Sequence, residues 1–303
     1  MSVNRQQNLP ACVRHPDRPT GLRCVRCDRP ACTDCLREAS VGHQCVDCVN
    51  EGVKSVRPAR TVSGAKAGRG RRLVVVPALI LVNVAAFAAT AVQAGSIVDN
   101  SRSTLFQDGT LVPAFVSAGE WWRLVTSGFL HFGNYGGYGP VHLLFNMFAL
   151  WVIGRDLEVV LGRGRFLAVY LISLLGGSTA VMLFGDAGGG VAGASGAVYG
   201  IFGGIAVVVF KARMNPTPVL TLIAINIFLS VTLPGISLLG HIGGLVAGTL
   251  ATAAMVYSPP ARRFQVQLAA CIALLVIMLV AVALRGSAMD CQVDGHLYYF
   301  CNG

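Results

Sequence analysis

Seven apolar runs dominate this sequence, at approximately 73–94, 141–161, 166–185, 193–210, 217–233, 237–257 and 264–284. Each is near the roughly 20 residues that a helix needs to cross a hydrocarbon core of about 30 Å. Lipid offers no partner to a backbone N–H or C=O, so such runs must be helices. The fifth is the least regular, because Pro216 and Pro218 clip its start and Pro234 its end. Composition agrees: charged residues are 13% of the chain and apolar residues 54%, with a mean hydropathy of +0.62. The expected fold class is an all-α polytopic membrane protein. A soluble acyl hydrolase is excluded by the spans, and its Gly-x-Ser-x-Gly elbow is missing because position 197 is Ala.

Charge sets the expected orientation. Residues 1–72 hold fourteen Lys and Arg against six Asp and Glu, most of the total net charge of +10. Arg155, Arg163 and Arg165 surround the second connection, Lys211 and Arg213 lie on the fourth, and Arg262 and Arg263 on the sixth. The third and fifth connections carry no Lys or Arg. The positive-inside rule then places the N-terminus in the cytosol and the C-terminus outside, as a multi-pass protein of the cell (plasma) membrane. The opening MSVNRQQNLP has no apolar core of the signal-peptide kind, in keeping with a retained N-terminus. The basic stretch reads as a membrane-surface segment rather than a nucleic-acid site.

Seven of the ten cysteines precede residue 50, spaced as Cys12-x2-His15, Cys24-x2-Cys27, Cys32-x2-Cys35 and Cys45-x2-Cys48. Four such pairs supply eight ligands, enough for two tetrahedral zinc ions. A reducing cytosol favours metal over disulfides, and a domain this small needs such staples. The interleaved pattern resembles a B-box or RING-like cross-brace. That resemblance implies Cys12, His15, Cys32 and Cys35 on one ion and Cys24, Cys27, Cys45 and Cys48 on the other, with sequential pairing as the alternative. His43 is a ninth candidate, able to stand in for Cys45. Residues 53–72 are basic and rich in small residues, as a flexible linker is. At the far end Cys291 and Cys301 are expected to form a disulfide in an external, oxidising space, while Cys271 stays a buried thiol.

Three polar stretches fall at external ends of predicted helices: Gly193-Ala-Ser195-Gly196, His241-Ile-Gly-Gly244 continuing to Gly248, and His142-Leu-Leu-Phe-Asn146. Each alone is compatible with ordinary packing, since Ser and Gly let helices approach closely and a lone His can bond a neighbouring carbonyl. Together they carry more weight, because the topology read from charge puts all of them at one leaflet. Ser195 is then a candidate nucleophile and His241 its general base. His142 and Asn146, one helical turn apart, can donate to a developing oxyanion together with the Ser195 amide. Gly244 and Gly248 would let the sixth helix lie against the fourth. No acidic residue lies near His241 in these helices, so the site reads as a dyad. A transporter would instead place polar groups along a path through the midplane.

These motifs, with Tyr199 one turn after Ser195 and with Trp122-Arg123, resemble the rhomboid family over roughly residues 73–257. The resemblance implies a six-helix intramembrane serine endopeptidase that cuts transmembrane proteins near the external face. It implies Ser195 and His241 as the catalytic dyad, His142, Asn146 and the amides of Gly193 and Ser195 as the oxyanion site, and Tyr199 packed on the His241 ring. No cofactor is implied for catalysis, and the Trp-Arg pair would belong to a supporting loop partly in the bilayer. Two features depart from a minimal pattern: a glycine-rich insertion, Gly133 to Gly139, between His131 and His142, and a seventh helix. The expected division is a zinc domain at 1–52, a linker at 53–72, a catalytic membrane domain at 73–257, and an extra transmembrane helix with its tail at 258–303. Expected partners are transmembrane substrates, the lipid bilayer and a protein bound by the zinc domain, with no nucleic acid.

Overall fold

A computed structural model of the chain describes residues 9–55, 61–64, 72–133, 140–294 and 298–301. The glycine-rich stretch 134–139 and most of the expected linker lie outside the described residues. The chain divides into two compact units, residues 1–59 and 60–303.

The first unit has little regular structure. A short hairpin pairs β1 (Leu36–Glu38) with β2 (His43–Cys45), setting Leu36 opposite Cys45, and α1 (Val46–Ser55) follows directly. Helix α1 runs three residues past position 52, into the segment read as linker. Apart from Ala31 and Leu36, its buried apolar cluster consists of cysteines. A core that small cannot offset the conformational entropy of about 50 residues without covalent or metal cross-links.

The second unit is helical. It comprises α2 (Val75–Ala94), three short helices α3 (Thr104–Gly109), α4 (Pro113–Ser117) and α5 (Arg123–Thr126), then α6 (Val141–Ala149) and α7 (Arg155–Leu161), joined through a π-helical stretch at Leu150–Gly154. The remaining helices are α8 (Arg163–Phe184), α9 (Ser195–Lys211), α10 (Thr217–Thr232), α11 (Leu238–Tyr257) and α12 (Arg263–Met289), followed by the hairpin β3 (Cys291–Asp294) and β4 (Tyr298–Cys301). Four helices, α2, α8, α11 and α12, are long and apolar enough to cross a membrane, and α9 and α10 are shorter apolar helices. The unit is a polytopic membrane fold with a seventh helix, α12, after a six-helix core.

Helices α8, α9 and α11 are in backbone contact. A Cβ on Gly177 would meet the carbonyl of Gly240 at 2.7 Å, and one on Gly196 would meet the same carbonyl at 3.2 Å. A Cβ on Gly244 would collide with the Gly196 carbonyl, and one on Gly248 with the backbone of Gly200. Without a hydrophobic drive between helices in lipid, such close approach supplies the packing energy. Around this seam sit Phe166, Tyr170, Leu150, Leu157, Ile201 and Ala251, all buried.

Glu158 is buried on α7, and its carboxylate accepts the N–H groups of Val74, Val75 and Val76 at 3.0, 3.1 and 2.8 Å. These are orphan donors at the start of α2, where the helix dipole also favours a negative group. The segment from 95 to 133 is ordered by polar contacts instead. Buried Arg123 pairs with Glu120 at 2.5 Å, donates to the carbonyl oxygens of Thr110 (2.9 Å) and Gln107, and lies 4.7 Å above the Phe115 ring. Trp122 donates from Nε1 to the Asp108 carbonyl at 2.9 Å while its ring stays half exposed. Helix α12 is tied to the same segment by the Ser117 hydroxyl, which donates to the Gly286 carbonyl at 2.6 Å. Cys291 and Cys301 form the expected disulfide across β3 and β4; Cys271 is a free thiol, half-buried rather than buried because it faces a cavity edge on α12.

Glu158→Ala leaves three amides without an acceptor at the start of α2. It should lower stability by about 2–3 kcal/mol, read from reversible unfolding in mixed micelles.

Candidate active site and metal centres

In the first unit the four Cys/His pairs gather as two interleaved groups: Cys12, His15, Cys32 and Cys35, and Cys24, Cys27, Cys45 and Cys48. Within each, the ligand atoms all lie within 4.8 Å of one another. Tetrahedral zinc with Zn–S near 2.3 Å and Zn–N near 2.0–2.1 Å requires S···S edges of about 3.8 Å and N···S edges of about 3.5 Å. Cys27 and Cys45 sulfurs are 3.7 Å apart, and His15 Nδ1 is 3.3, 3.4 and 3.9 Å from the sulfurs of Cys32, Cys35 and Cys12. The donor sets therefore fit tetrahedral ions. Charge makes the same demand: the Cys32 backbone amide helps hold the Cys12 thiol down at about 6, while burial and the sulfurs of Cys32 and Cys12 push Cys35 up to about 11. Sulfurs this close ionise together only around a cation. His43 is exposed on β2, outside both groups.

In the second unit the polar motifs converge. Ser195 is the first residue of α9, and Ala194 at the cap position supplies no side-chain acceptor. The loop before it is pinned by its own amides: Gly193 N–H donates to the Ser127 carbonyl at 2.9 Å, and Ala194 N–H to His131 Nε2 at 3.3 Å. The N–H of Ser195 has no partner among the described residues. Of the two amides that the rhomboid resemblance assigns to an oxyanion, the one at 193 is thus already engaged and the one at 195 is open. Gly193 itself has φ of +146°, and a Cβ there would lie 3.6 Å from Ser195 Oγ, 3.3 Å from His142 Nε2 and 2.8 Å from His142 Cε1. Glycine is required there both by its backbone conformation and by the space between those two side chains.

Ser195, His142 and His241 line one cavity of about 30 Å³, together with Phe132, Ala192 and Ser237. That volume admits water and not a peptide segment. His241 is buried near the start of α11. Its ring stacks on Tyr199 with centroids 4.0 Å apart and planes at 14°, and its Nδ1 is 2.7 Å from Ser230 Oγ on α10. Asn146 is buried one turn along α6 from His142, donating from Nδ2 to the His142 carbonyl at 2.9 Å, and is not among the residues lining the cavity. His131, fully buried, has its ring 5.4 Å from that of His142 and fixes the loop before Ser195 through Ala194. Ser230 is a contact that the sequence did not single out, and His131, named there only as a boundary of the glycine-rich insertion, gains its role here. In sequence Ser230 is one of several hydroxyls in its apolar run, beside Thr217, Thr221 and Thr232, with Asn226 four residues earlier, so nothing local set it apart.

Comparison with known proteins gives the same outline. A family model described as "Rhomboid domain" matches residues 118–259. Over 160 residues, 51% of this chain, the sequence is 36% identical to rhomboid protease GluP of Bacillus subtilis (strain 168), of which the match covers 30%. It is 34% identical over 140 residues to YdcA of the same organism, covering 45% of this chain and 67% of that protein. Against rhomboid protease AarA of Providencia stuartii it is 28% identical over 215 residues, 60% of this chain and 72% of that protein. The chain thus matches less than a third of GluP, and about two thirds of the two shorter relatives.

The two Cys/His groups, within residues 12–48, fall outside the matched domain. Elemental analysis of the purified chain should give two metal ions, and Cys27→Ser should remove one of them while leaving the other.

Proposed function

This chain belongs to the rhomboid family, and on that premise we propose that it is an intramembrane serine endopeptidase whose catalytic pair is Ser195 and His241. The observation that carries the reading is the convergence of Ser195 Oγ, the His241 ring and His142 on one small cavity, at the uncapped start of α9. Ser195 Oγ attacks the carbonyl carbon of a peptide bond and passes its proton to His241 Nε2. The carbonyl oxygen gains the negative charge and is held by the Ser195 N–H and the His142 side chain, with Asn146 supporting from one turn away. The C–N bond then breaks as His241 returns the proton to the leaving amine. Water, deprotonated by His241 in turn, hydrolyses the acyl ester and restores Ser195. Gly193 keeps open the space between nucleophile and His142, and Tyr199 holds the base by stacking.

The proposed substrate is a transmembrane protein cut near the external face. A peptide bond within a helix has both amides paired, so the segment must unwind locally, which favours small or helix-breaking residues at the cut. Helix α9, at 17 residues, is about 25 Å long, short of the roughly 30 Å hydrocarbon core, and supports a nucleophile set below the surface. The charge pattern supports a cytosolic N-terminus and an external C-terminus in the plasma membrane. Zinc is the proposed metal, about two ions per chain, because a thiolate-rich tetrahedral donor set suits it. Its part is structural, with residues 1–52 as a folded module, 53–72 as linker, 73–257 as catalytic domain, and 258–303 as an added helix and tail. The module is proposed to bind a protein partner, and the catalytic step uses no metal.

The test is purified protein in proteoliposomes with a single-span substrate. Ser195→Ala and His241→Ala should abolish cleavage without unfolding the protein, and His142→Ala should lower kcat by about 10²-fold. Cleavage that survives Ser195→Ala, or that stops when a chelator strips the metal, places the chemistry elsewhere.

A further inference from the structure

Three short contacts meet on one hydroxyl. Ser230 Oγ is 2.7 Å from the carbonyl oxygen of Asn226, 2.7 Å from the hydroxyl of Tyr199 and 2.7 Å from Nδ1 of His241. A serine hydroxyl has one hydrogen and two lone pairs. The Asn226 carbonyl carries no hydrogen, so Ser230 must spend its own there, in the i to i−4 arrangement that satisfies a hydroxyl inside an apolar helix. Nothing is left for Ser230 to donate. The other two partners must therefore donate to it: Tyr199 through its O–H and His241 through an N–H on Nδ1.

From this count we infer that Ser230 is a positioning residue that fixes the tautomer of His241, putting the hydrogen on Nδ1 and leaving Nε2 bare toward the cavity. The inference rests on the reading of Ser195 and His241 given above and specifies how the base is set. A neutral imidazole carries one N–H and one acceptor nitrogen, and only the acceptor can take a proton from a hydroxyl. Soluble serine hydrolases set this choice with a carboxylate behind the histidine. Neither α10 nor α11 contains an acidic residue, and a carboxylate at that depth in a bilayer is costly. A serine anchored to its own helix accepts the Nδ1–H without adding charge. It orients the ring and selects the tautomer, but does not compensate the imidazolium that forms during reaction.

The same hydroxyl ties three helices together. Tyr199, on α9 four residues after Ser195, stacks on one face of the His241 ring and ends at Ser230 on α10, while His241 itself is on α11. Ser230 is one of only two buried residues of α10 among those described, the other being Val219. Position 230 therefore supplies the inward polar contact of an otherwise half-exposed apolar helix.

The experiment combines kinetics with a direct reading of the tautomer. Ser230→Ala in proteoliposomes should lower kcat about 10-fold with KM nearly unchanged, the size expected for one lost hydrogen bond to the base, and should lower the unfolding midpoint modestly because the Tyr199 O–H and His241 Nδ1–H lose their acceptor. Ser230→Thr, which keeps the hydroxyl, should restore most of the rate. Nitrogen-15 NMR of histidine-labelled protein, recorded in the inactive Ser195→Ala background, should show His241 protonated on Nδ1 and bare on Nε2. Adding Ser230→Ala should shift population to the Nε2–H form. Parent-like kcat in Ser230→Ala, or an Nε2–H His241 in the parent, overturns the inference while leaving the catalytic pair intact. Loss of the pair itself would show only in the Ser195→Ala and His241→Ala assays, so the two failures are distinguishable.

Discussion

The contact of α8, α9 and α11 backbone to backbone is the constraint on which the rest depends. Gly177, Gly196 and Gly240 meet at one level, and Gly200 and Gly248 at the next, leaving no room for a methyl group at most of these positions. Lipid cannot drive helices together as water does, so packing at this distance must supply the association. The geometry also has a chemical consequence. Ser195 begins α9 next to Gly196, and His241 follows Gly240 on α11, so the seam that welds the helices sets the separation of hydroxyl and imidazole. A side chain at Gly244 would push against the Gly196 carbonyl and move His241, the proposed base, from Ser195, the proposed nucleophile, without altering either side chain.

Polar groups outside the seam are spent with similar economy. Arg123, inside the segment between α2 and α6, is among the largest fully buried side chains, and it is stable there because Glu120, two backbone carbonyls and the Phe115 face surround it. An unpaired guanidinium in that position would cost several kcal/mol. Asn100 plays the neutral counterpart, donating to Thr90 Oγ1 and the His131 carbonyl while accepting the Gly133 N–H at 2.7 Å. These bonds hold His131 in place, and His131 in turn holds Ala194. The order of a long connecting segment is thereby transmitted to the loop that presents Ser195.

Much of this was legible in the sequence because the signals were local or periodic. Apolar runs of the right length gave the helices, and pairs at x2 spacing gave the two Cys/His clusters, whose interleaving followed from a resemblance. The polar motifs were visible because a bilayer makes every buried hydroxyl, amide or imidazole conspicuous. What escaped was of two kinds. Glu158 and Arg123 sit near helix ends where charged residues are expected at the membrane surface, so nothing in the sequence distinguished their burial from exposure. Ser230 and His131 act through partners 11 and 63 residues away, and no local pattern encodes such pairing. The shortness of α9 and α10 was legible: the runs read at 193–210 and 217–233 correspond to helices of 17 and 16 residues.

The starts of the helices show why Ser195 stands where it does. Helix α2 has its first amides covered by Glu158, α3 has Ser103 accepting from Phe106, and α11 has Ser237 accepting from Gly240. Helix α9 has no side-chain cap, and neither do α4, α6, α8, α10 and α12. An uncapped helix start presents partial positive charge and free N–H groups, a site that favours a negative oxygen. Leaving it open costs stability of about 1 kcal/mol compared with a serine or threonine at the cap. What distinguishes α9 among the uncapped helices is what faces its start: the proposed nucleophile is its first residue, with His142 across the cavity and Gly193 leaving the space between them empty. A capping side chain at position 194 would take the N–H of Gly196 or Ala197, as Ser103 takes that of Phe106 and Ser237 that of Gly240, and so would draw on the positive helix start beside the proposed oxyanion site; alanine leaves that start unengaged, and the Ser195 N–H open beside it.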